Sequence, residues 1–438
     1  MSNKPVLLSG ADIIDPASGR DGAFDILIEN GVVKAIDKPG AFKSVDKIIE
    51  HKLPKHWIVP GLIDLHVHLR EPGFEWKETI QTGSEAAILG GFTSICCMPN
   101  TRPVNDSAEI ADFIRAQASK VALARVLPIG AISLGSLGKE LAPFSELSKA
   151  GCVAFSDDGE PVLDAGLMRR ALEWVGMMGM TLSCHEEEKT LSCGGCMNES
   201  ARSNRMGLKG MPKVAEEVMI ARDIELARTV GSKVHICHIS SGRSLELIRR
   251  AKNDGIQITC EVTPHHLCLS EEAVEGYDTN AKMSPPLREE YEVKNLQQGL
   301  IDGSIDAVAS DHAPHDADSK AVEFGKASFG ILGLQTSLPL LLDFVRNKMI
   351  SRVRAIELLT SGPAKAFGMG YGTLKVGAPA DITVINPDRE WKFEKDVVRS
   401  KSKNSPFLGR VLRGSAELVM VSGRIVVEDG KILGESRA

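Results

Sequence analysis

The chain has 438 residues, of which 43% are hydrophobic and 25% are charged, and its formal net charge is −6. This length provides for one large domain and a smaller one, and the composition is typical of a globular protein. Because the net charge is negative and Lys and Arg form no dense block, nucleic acid and anionic membranes are excluded as main partners.

No apolar run reaches the length of a membrane span, and we expect no secretory signal because the N-terminal residues lack its apolar stretch. The nine cysteines are an odd number at irregular spacings, and several lie within apolar runs. We therefore expect reduced thiols in a cytoplasmic protein rather than a disulfide framework. Cys193 and Cys196 form a CxxC pair, which we interpret as a loop feature.

Short strand-like runs separated by turn residues fill residues 1–57. After them, eight strand-like runs occur at residues 58–66, 91–98, 121–132, 151–156, 181–185, 233–239, 256–263 and 305–310. Helical segments lie between them, at 76–90, 106–119, 163–179, 213–230 and 288–302. This alternation predicts βαβ units, and eight parallel strands are the number that closes a (β/α)8 barrel. An open doubly wound sheet is the alternative, but no GxGxxG follows the first strand.

A helical stretch near 333–368 precedes a tail that again has the alternating pattern of β-strands. We expect this tail, residues 371–438, to complete a small β-sandwich begun by residues 1–57. The predicted fold is therefore of the α/β class: a TIM barrel of residues 58–370 inserted between the two halves of the β-sandwich.

Metal-binding residue types lie at the ends of the predicted barrel strands. The first strand ends in His66 and His68, and this spacing places both side chains on one side of the strand. Because the C-terminal ends of barrel strands share one face, residues that follow later strands meet the two histidines there. These residues are Asn100, Asp157, Asp158, His185, His238 and Asp311.

The chemistry of these side chains suits zinc. Neutral imidazoles and carboxylates bind Zn²⁺, and a catalytic zinc site keeps one position for water. A carboxylate between two pairs of histidines can bridge two cations held about 3.5–4 Å apart. The pattern predicts a metal-dependent hydrolase, in which Asp311 takes a proton from the attacking water and returns it to a leaving nitrogen.

Longer motifs carry a family resemblance. The chain contains DLHVHLREPGFEWKETIQTGSEAAILGGFTS, MPNTRPVND, FSDDG, GLKGMPKVAEEVMIARDIELA, HICHIS, EVTPHHL, KMSPPLR, SDHAPH, SFG and GTLKVGAPADITVIN. These motifs span nearly the whole chain in order, and they resemble the bacterial class I dihydroorotases of the amidohydrolase superfamily. The resemblance implies a zinc-dependent enzyme that interconverts N-carbamoyl-L-aspartate and dihydroorotate in de novo pyrimidine biosynthesis.

The resemblance implies a ligand set for one or two Zn²⁺ ions, with two favoured: His66, His68, Asp158, His185, His238 and Asp311. Asp158 then takes the bridging place that a carboxylated lysine fills in hydantoinases and allantoinases, and Asp157 is the alternative. Asp311 matches the family's catalytic acid and base.

The same resemblance implies substrate contacts at His68, Arg70, Asn100, Ser284, His315, Phe329 and Gly330. A planar guanidinium such as that of Arg70 binds a carboxylate in a bidentate manner. Ser284 departs from the family, which usually has Asn in the motif KMNPPLR. Because a hydroxyl replaces an amide here, we expect weaker or altered substrate binding without loss of the metal chemistry.

We expect a homodimer that acts on a small-molecule substrate, with association with an aspartate transcarbamoylase as a further candidate. A hydantoinase- or allantoinase-like hydrolase is one alternative, and Asp158, Arg70 and Asn100 disfavour it. An inactive homologue that serves as a transcarbamoylase partner is the other, and the complete set of metal histidines disfavours it.

Three further groups of residues receive no catalytic role. We expect His265 and His266 to support the site structurally, and His312 to point away from the face of Asp311. The run Glu186 to Glu188 is interpreted as a solvated loop.

Overall fold

The computed structural model describes residues 4–45 and 48–433. The chain begins with five strands: β1 Val6–Asp15, β2 Arg20–Glu29, β3 Val32–Asp37, β4 Ile49–Lys52 and β5 Trp57–Pro60. β1, β2 and β3 pair in antiparallel fashion, whereas β4 and β5 run parallel to β1 along its other edge.

The next strands build a parallel barrel. The ten strands that come next are β6 Leu62–Val67, β7 Phe92–Cys97, β8 Arg125–Gly130, β9 Ala154–Phe155, β10 Leu182–Cys184, β11 Met197–Asn198, β12 Gly210–Met211, β13 Val234–Ile236, β14 Ile258–Val262 and β15 Ala307–Val308. Eight of them form one sheet, and β11 and β12 form a separate pair. A parallel bridge between Val67 and His312 joins the first barrel strand to the segment after the last. The predicted (β/α)8 barrel is confirmed.

Fourteen α-helices occur among the described residues: α1 Ile80–Leu89, α2 Ala108–Val121, α3 Phe144–Lys149, α4 Ala165–Met177, α5 Lys189–Ser192, α6 Ala201–Met206, α7 Val214–Val230, α8 Gly242–Asn253, α9 Pro264–Cys268, α10 Glu290–Asp302, α11 Ala317–Lys320, α12 Ser337–Arg346, α13 Arg352–Leu359 and α14 Ser361–Ala366. Thr79, Asp164 and Ser241 cap the first turns of α1, α4 and α8 by accepting backbone N–H groups. Within 4–45 and 48–433, no helix is long and apolar enough to cross a bilayer.

The two ends of the chain share one sheet. Its last strands are β16 Ile382–Lys392, β17 Val411–Val421, β18 Arg424–Glu428 and β19 Lys431–Ile432, and β16 pairs with β5 to give nine strands. One apolar core joins the two halves of the sheet, with Leu8 and Ile26 from the first half and Leu418 and Met420 from the second. The predicted β unit built from both ends of the chain is confirmed.

Most predicted barrel strands are shorter in the structure, and two of them differ more than the rest. The predicted strand 58–66 is divided at Gly61, where the chain passes from the nine-stranded sheet to the barrel. A Cβ on Gly61 would lie 2.1 Å from Thr93 Oγ1, so this close approach requires glycine. The predicted strand 121–132 begins at Arg125, because α2 continues to Val121. The domain bounds themselves stay a prediction.

Candidate metal centre and substrate pocket

Six buried side chains converge at the C-terminal ends of the barrel strands: His66, His68, Asp158, His185, His238 and Asp311. Asp158 lies at the centre, because its carboxylate oxygens are 3.3 to 3.6 Å from a ring nitrogen of each of the four histidines. Asp311 approaches the first pair, with Oδ1 3.1 Å from His68 Nε2 and 3.5 Å from His66 Nε2. The structure therefore brings all six predicted ligands together.

The donor atoms of the centre form three overlapping groups. The ligand atoms lie within 4.8 Å of one another in the group His66, His68 and Asp158, in the group Asp158, His185 and His238, and in the group His66, His238 and Asp311. Three protein ligands that leave room for water are typical of a catalytic metal site, and a shared carboxylate is what a two-metal site requires. The arrangement can hold two cations bridged by Asp158.

Unpaired atoms and charge at the centre also fit a metal ion. His66 Nε2 and Asp158 Oδ1 are buried and have no hydrogen-bond partner, although buried polar atoms are almost always paired. Burial lowers the pKa of His66, but the carboxylates of Asp158 and Asp311 outweigh it and raise this pKa well above its usual value. The centre thus favours added positive charge, which a divalent cation supplies.

Three residues of the site have an unusual backbone conformation. Arg70, His238 and Asp311 have positive φ angles of 61°, 30° and 43°. Non-glycine residues rarely adopt this region, and such strain is found mainly at functional sites. The backbone therefore places these three side chains at a conformational cost.

Asp157 and Asp158 have different surroundings. The carboxylate of Asp157 accepts hydrogen bonds from the backbone N–H groups of Ile132 and Ser133 and from the Ser133 hydroxyl. The Asp157 carboxylate is thus engaged away from the metal centre, whereas the Asp158 carboxylate contacts the four histidines.

His66 and His68 each contact a second side chain through the ring nitrogen that does not face Asp158. His66 Nδ1 lies 3.0 Å from Glu261 Oε1, whose other oxygen contacts His235, and His68 Nδ1 lies 2.9 Å from Asn100 Oδ1. Such contacts orient a ligating imidazole and fix its tautomer. The sequence reasoning missed Glu261, although a single glutamate inside the apolar run 256–263 was a usable signal, because a buried charge needs a partner.

The solvated loop predicted for Glu186 to Glu188 is wrong for its first two residues. Glu186 is 5% exposed and Glu187 is 9% exposed. Glu186 lies in a buried cluster with Cys184 and Asp223, and Glu187 Oε2 lies 3.1 Å from His185 Nε2. Asp223 of α7 lies beside Glu186, and the Glu187 carboxylate accepts from Ser192 of α5.

A cavity of about 650 Å³ includes the metal centre in its wall. Its volume is in the range of small-molecule sites. It is also lined by five of the predicted substrate contacts, which are Arg70, Asn100, Ser284, His315 and Phe329. His68 contributes to both the cavity and the metal centre.

Arg70 is the cation best placed to receive an anionic substrate. Burial lowers its pKa to about 10, against the opposing effect of Asp311 and Asp158, so it stays protonated at neutral pH. One guanidinium nitrogen lies 3.3 Å from His315 Nε2, and burial and Arg70 lower the pKa of His315, which is therefore neutral. With Nε2 accepting from Arg70, the buried and unpaired Nδ1 of His315 carries the hydrogen.

Gly330 supports the wall of the cavity behind Phe329. Its N–H donates to the Lys282 carbonyl and its own carbonyl accepts from the Asn404 amide. A Cβ at Gly330 would lie 2.5 Å from the Ala313 carbonyl oxygen, and its φ of 152° also favours glycine. Both polar backbone groups of Gly330 are thus engaged inside the protein.

Comparisons with known proteins agree with this geometry. Residues 55–244 match the family model described as Dihydro-orotase-like, and residues 343–427 match the Amidohydrolase family. The protein named Dihydroorotase from Geotalea daltonii is 48% identical over 421 residues, which cover 96% of this chain and 99% of that protein. The Dihydroorotase of Anaeromyxobacter sp. (strain K) is 46% identical over 432 residues, with 97% and 98% coverage. The chain belongs to the dihydroorotase family.

Solved structures place this dihydroorotase family member among cyclic-amide hydrolases by fold. The L-hydantoinase (dihydropyrimidinase) from Arthrobacter aurescens has a TM-score of 0.86 at 26% identity, covering 98% of this chain and 97% of its own. The D-hydantoinase from Thermus sp. has a TM-score of 0.84 at 24% identity, covering 98% and 97%, and shows the fold alone. The predicted amidohydrolase fold is confirmed.

Residues in the C-terminal part of the chain, which was predicted to belong to the β-sandwich, also contact residues of the candidate site. Asn404 accepts the N–H of His315 and donates to the carbonyls of Ala313 and Gly330. Ser400 donates to Glu78, which contacts His312 on the side away from the metal centre. No local motif in the sequence indicated these contacts.

We expect Asn404→Ala to destabilise the protein and to weaken substrate binding. Each buried backbone group left without a partner costs about 1–3 kcal/mol, and His315 and Gly330 lose their common support. Thermal denaturation and the KM for dihydroorotate measure the two effects. Asn347→Ala, at an exposed helix end, is the control. An unchanged melting temperature and KM in Asn404→Ala would show that the contacts are unimportant.

Proposed function

We propose that this protein is a dihydroorotase, which reversibly cyclises N-carbamoyl-L-aspartate to (S)-dihydroorotate in de novo pyrimidine biosynthesis. The proposal is based chiefly on one observation. Asp158 lies between two pairs of histidines, in the wall of a cavity that Arg70 also lines. The family relatives named Dihydroorotase, at 46–48% identity over nearly the whole chain, support the same reaction.

We propose Zn²⁺ as the cofactor, with two ions per chain. His66, His68 and Asp311 would hold one ion and His185 and His238 the other, with Asp158 between them. When bound, the ions polarise the ring carbonyl and activate water. The choice of zinc is based on the imidazole and carboxylate donor set.

In the ring-opening direction, water attacks the ring carbonyl carbon and the ring C–N bond breaks. Asp311 accepts the proton of the attacking water and gives it to the ring nitrogen that leaves. The carbonyl carbon becomes a second carboxylate, whose ionisation releases one proton. Arg70 pairs with the substrate carboxylate, and His315, whose Nε2 accepts from Arg70, lines the same cavity. Ring closure is the reverse of these steps.

We expect Arg70→Met to raise the KM for dihydroorotate about 10- to 100-fold, because a hydrogen bond to a charged group contributes about 1.5–3 kcal/mol. Steady-state kinetics with dihydroorotate and with uncharged hydantoin measure the effect. The KM for any residual hydantoin hydrolysis stays unchanged, since hydantoin has no carboxylate. Arg102→Met, at an exposed position, is the control. Equal losses for both compounds would argue against a carboxylate contact.

Comparison of substrates tests the proposed reaction. The purified, zinc-loaded protein is assayed with dihydroorotate, hydantoin and allantoin. We expect turnover of dihydroorotate to exceed that of the other two by orders of magnitude. Preference for hydantoin or allantoin would favour the alternative enzyme, and zinc-loaded protein that turns over none of the three compounds would favour an inactive homologue.

The cellular setting is part of the proposal. Cytoplasmic location is supported by the cysteines, all nine of which are free thiols. The homodimer, the association with an aspartate transcarbamoylase and the substrate contact of Ser284 stay predictions. Ser284 lines the cavity with a shorter side chain than the family's Asn.

A further inference from the structure

The two ring nitrogens of His185 make different contacts. Nδ1 faces the metal centre, 3.6 Å from Asp158 Oδ1 and 3.0 Å from His238 Nε2. Nε2 points the other way and lies 3.1 Å from Glu187 Oε2. Because a carboxylate only accepts, Nε2 carries the hydrogen and Nδ1 presents its lone pair to a cation.

Glu187 is itself fixed from two directions. Its Oε1 accepts the hydroxyl hydrogen of Ser192, and its Oε2 lies 3.0 Å from the Lys189 ammonium. The side chain is 11% exposed, so the carboxylate is largely shielded from water. Such a carboxylate holds an imidazole in one orientation far better than water does.

Lys189 extends the contact to a second ligand loop. Its ammonium donates to the carbonyl of Gly159 at 2.9 Å, directly after Asp158. Asn100 donates to the Asp158 carbonyl in the same loop and contacts His68 through its other amide atom. The loops after β9 and β10 are thus tied together beside the centre they share.

We propose that Glu187 and Lys189 are a positioning pair: Glu187 fixes His185 with Nδ1 towards the metal, and Lys189 locks the loops that carry His185 and Asp158. The inference rests on the proposed function, since it concerns the proposed zinc centre. Both side chains line the cavity, and the role we assign to them is to set the geometry of the ligands.

Zinc affinity of the full-length protein tests the pair without measuring turnover. Each variant is stripped of metal and titrated with Zn²⁺ against a chromophoric chelator. We expect Glu187→Ala to weaken the affinity of one zinc site about 10- to 100-fold, as is usual when the partner of a metal-binding histidine is removed. Glu187→Gln retains an acceptor oxygen and recovers part of the loss. Glu188→Ala is the matched control, because Glu188 caps α5 and contacts no ligand.

Variants of Lys189 provide an independent test of the positioning pair. We expect Lys189→Met to weaken zinc binding by less than Glu187→Ala does, and Lys189→Arg to restore it because the charge is kept. The absorption spectrum of the cobalt-loaded protein should change in Glu187→Ala and Lys189→Met but not in Glu188→Ala, since a turned imidazole alters the ligand field.

The outcomes separate the two proposals. A wild-type protein that binds no zinc would overturn the proposed metal centre. Wild-type and Glu187→Ala proteins with equal zinc affinity and equal cobalt spectra would overturn the positioning pair alone. Should circular dichroism show that Glu187→Ala is unfolded, the isosteric Glu187→Gln and the surface variant Lys189→Met decide the question.

Discussion

Replacement of Asp311 by Asn is expected to reduce dihydroorotate turnover about 10³- to 10⁴-fold while the protein stays folded. General acid–base catalysis contributes about 10²- to 10⁴-fold, and the amide has neither the charge nor the basicity to move the proton. Asp311 also contacts His66 and His68 at 3.5 and 3.1 Å, so its charge supports the first metal position as well.

The measurement is kcat in both directions, together with zinc content and a circular dichroism spectrum. Asp316→Asn is the matched control, because Asp316 lies in the same loop and caps α11, a task that Asn performs equally well. Retention of more than a tenth of the wild-type kcat in Asp311→Asn would contradict the assignment of the proton transfer to this residue.

Replacement of Asp158 by Ala is also expected to cause a large loss of activity. Its carboxylate is within 3.6 Å of a ring nitrogen of all four histidines, so its loss removes the shared ligand of both metal positions. We expect activity to fall more than about 10³-fold, since several kcal/mol of charge stabilisation are lost and each 1.4 kcal/mol is a factor of ten. Zinc content should fall below two ions per chain.

Asp157→Asn provides the contrast for this prediction. Asp157 accepts three hydrogen bonds from Ile132 and Ser133 and touches no metal ligand, so its substitution should lower the melting temperature and leave the zinc content at two. The opposite pattern, with metal lost in Asp157→Asn and kept in Asp158→Ala, would mean that the neighbouring aspartate is the bridge.

Much of the fold and the centre could be predicted because local patterns specify them. The alternation of strand-like and helix-like runs predicted the barrel, and the placement of His66, His68, His185 and His238 at strand ends predicted where they meet. The family resemblance, rather than spacing, separated Asp158 from Asp157. The surroundings of the two carboxylates in the structure give the physical reason for that choice.

The remaining features depend on contacts between distant parts of the chain. Asn404 lies about 90 residues from His315 and has no local pattern. Glu261 stands out in its apolar run, but its partner His66 is 195 residues away, so the contact itself could not be predicted. The burial of Glu186 and Glu187 was mispredicted because it depends on contacts outside the acidic run, with Asp223 of α7 and Ser192 of α5. A run of acidic residues is normally solvated, and here the histidine and lysine beside Glu187 compensate its charge.

The proposed zinc centre is tested most directly when the metal is removed and then restored. The wild-type protein is stripped with a chelator and then titrated with Zn²⁺ while bound zinc and dihydroorotate turnover are recorded together. We expect no turnover in the stripped protein, and full turnover when two zinc ions are bound per chain. Undiminished turnover in the metal-free protein, or saturation with zinc without any turnover of dihydroorotate, would contradict it.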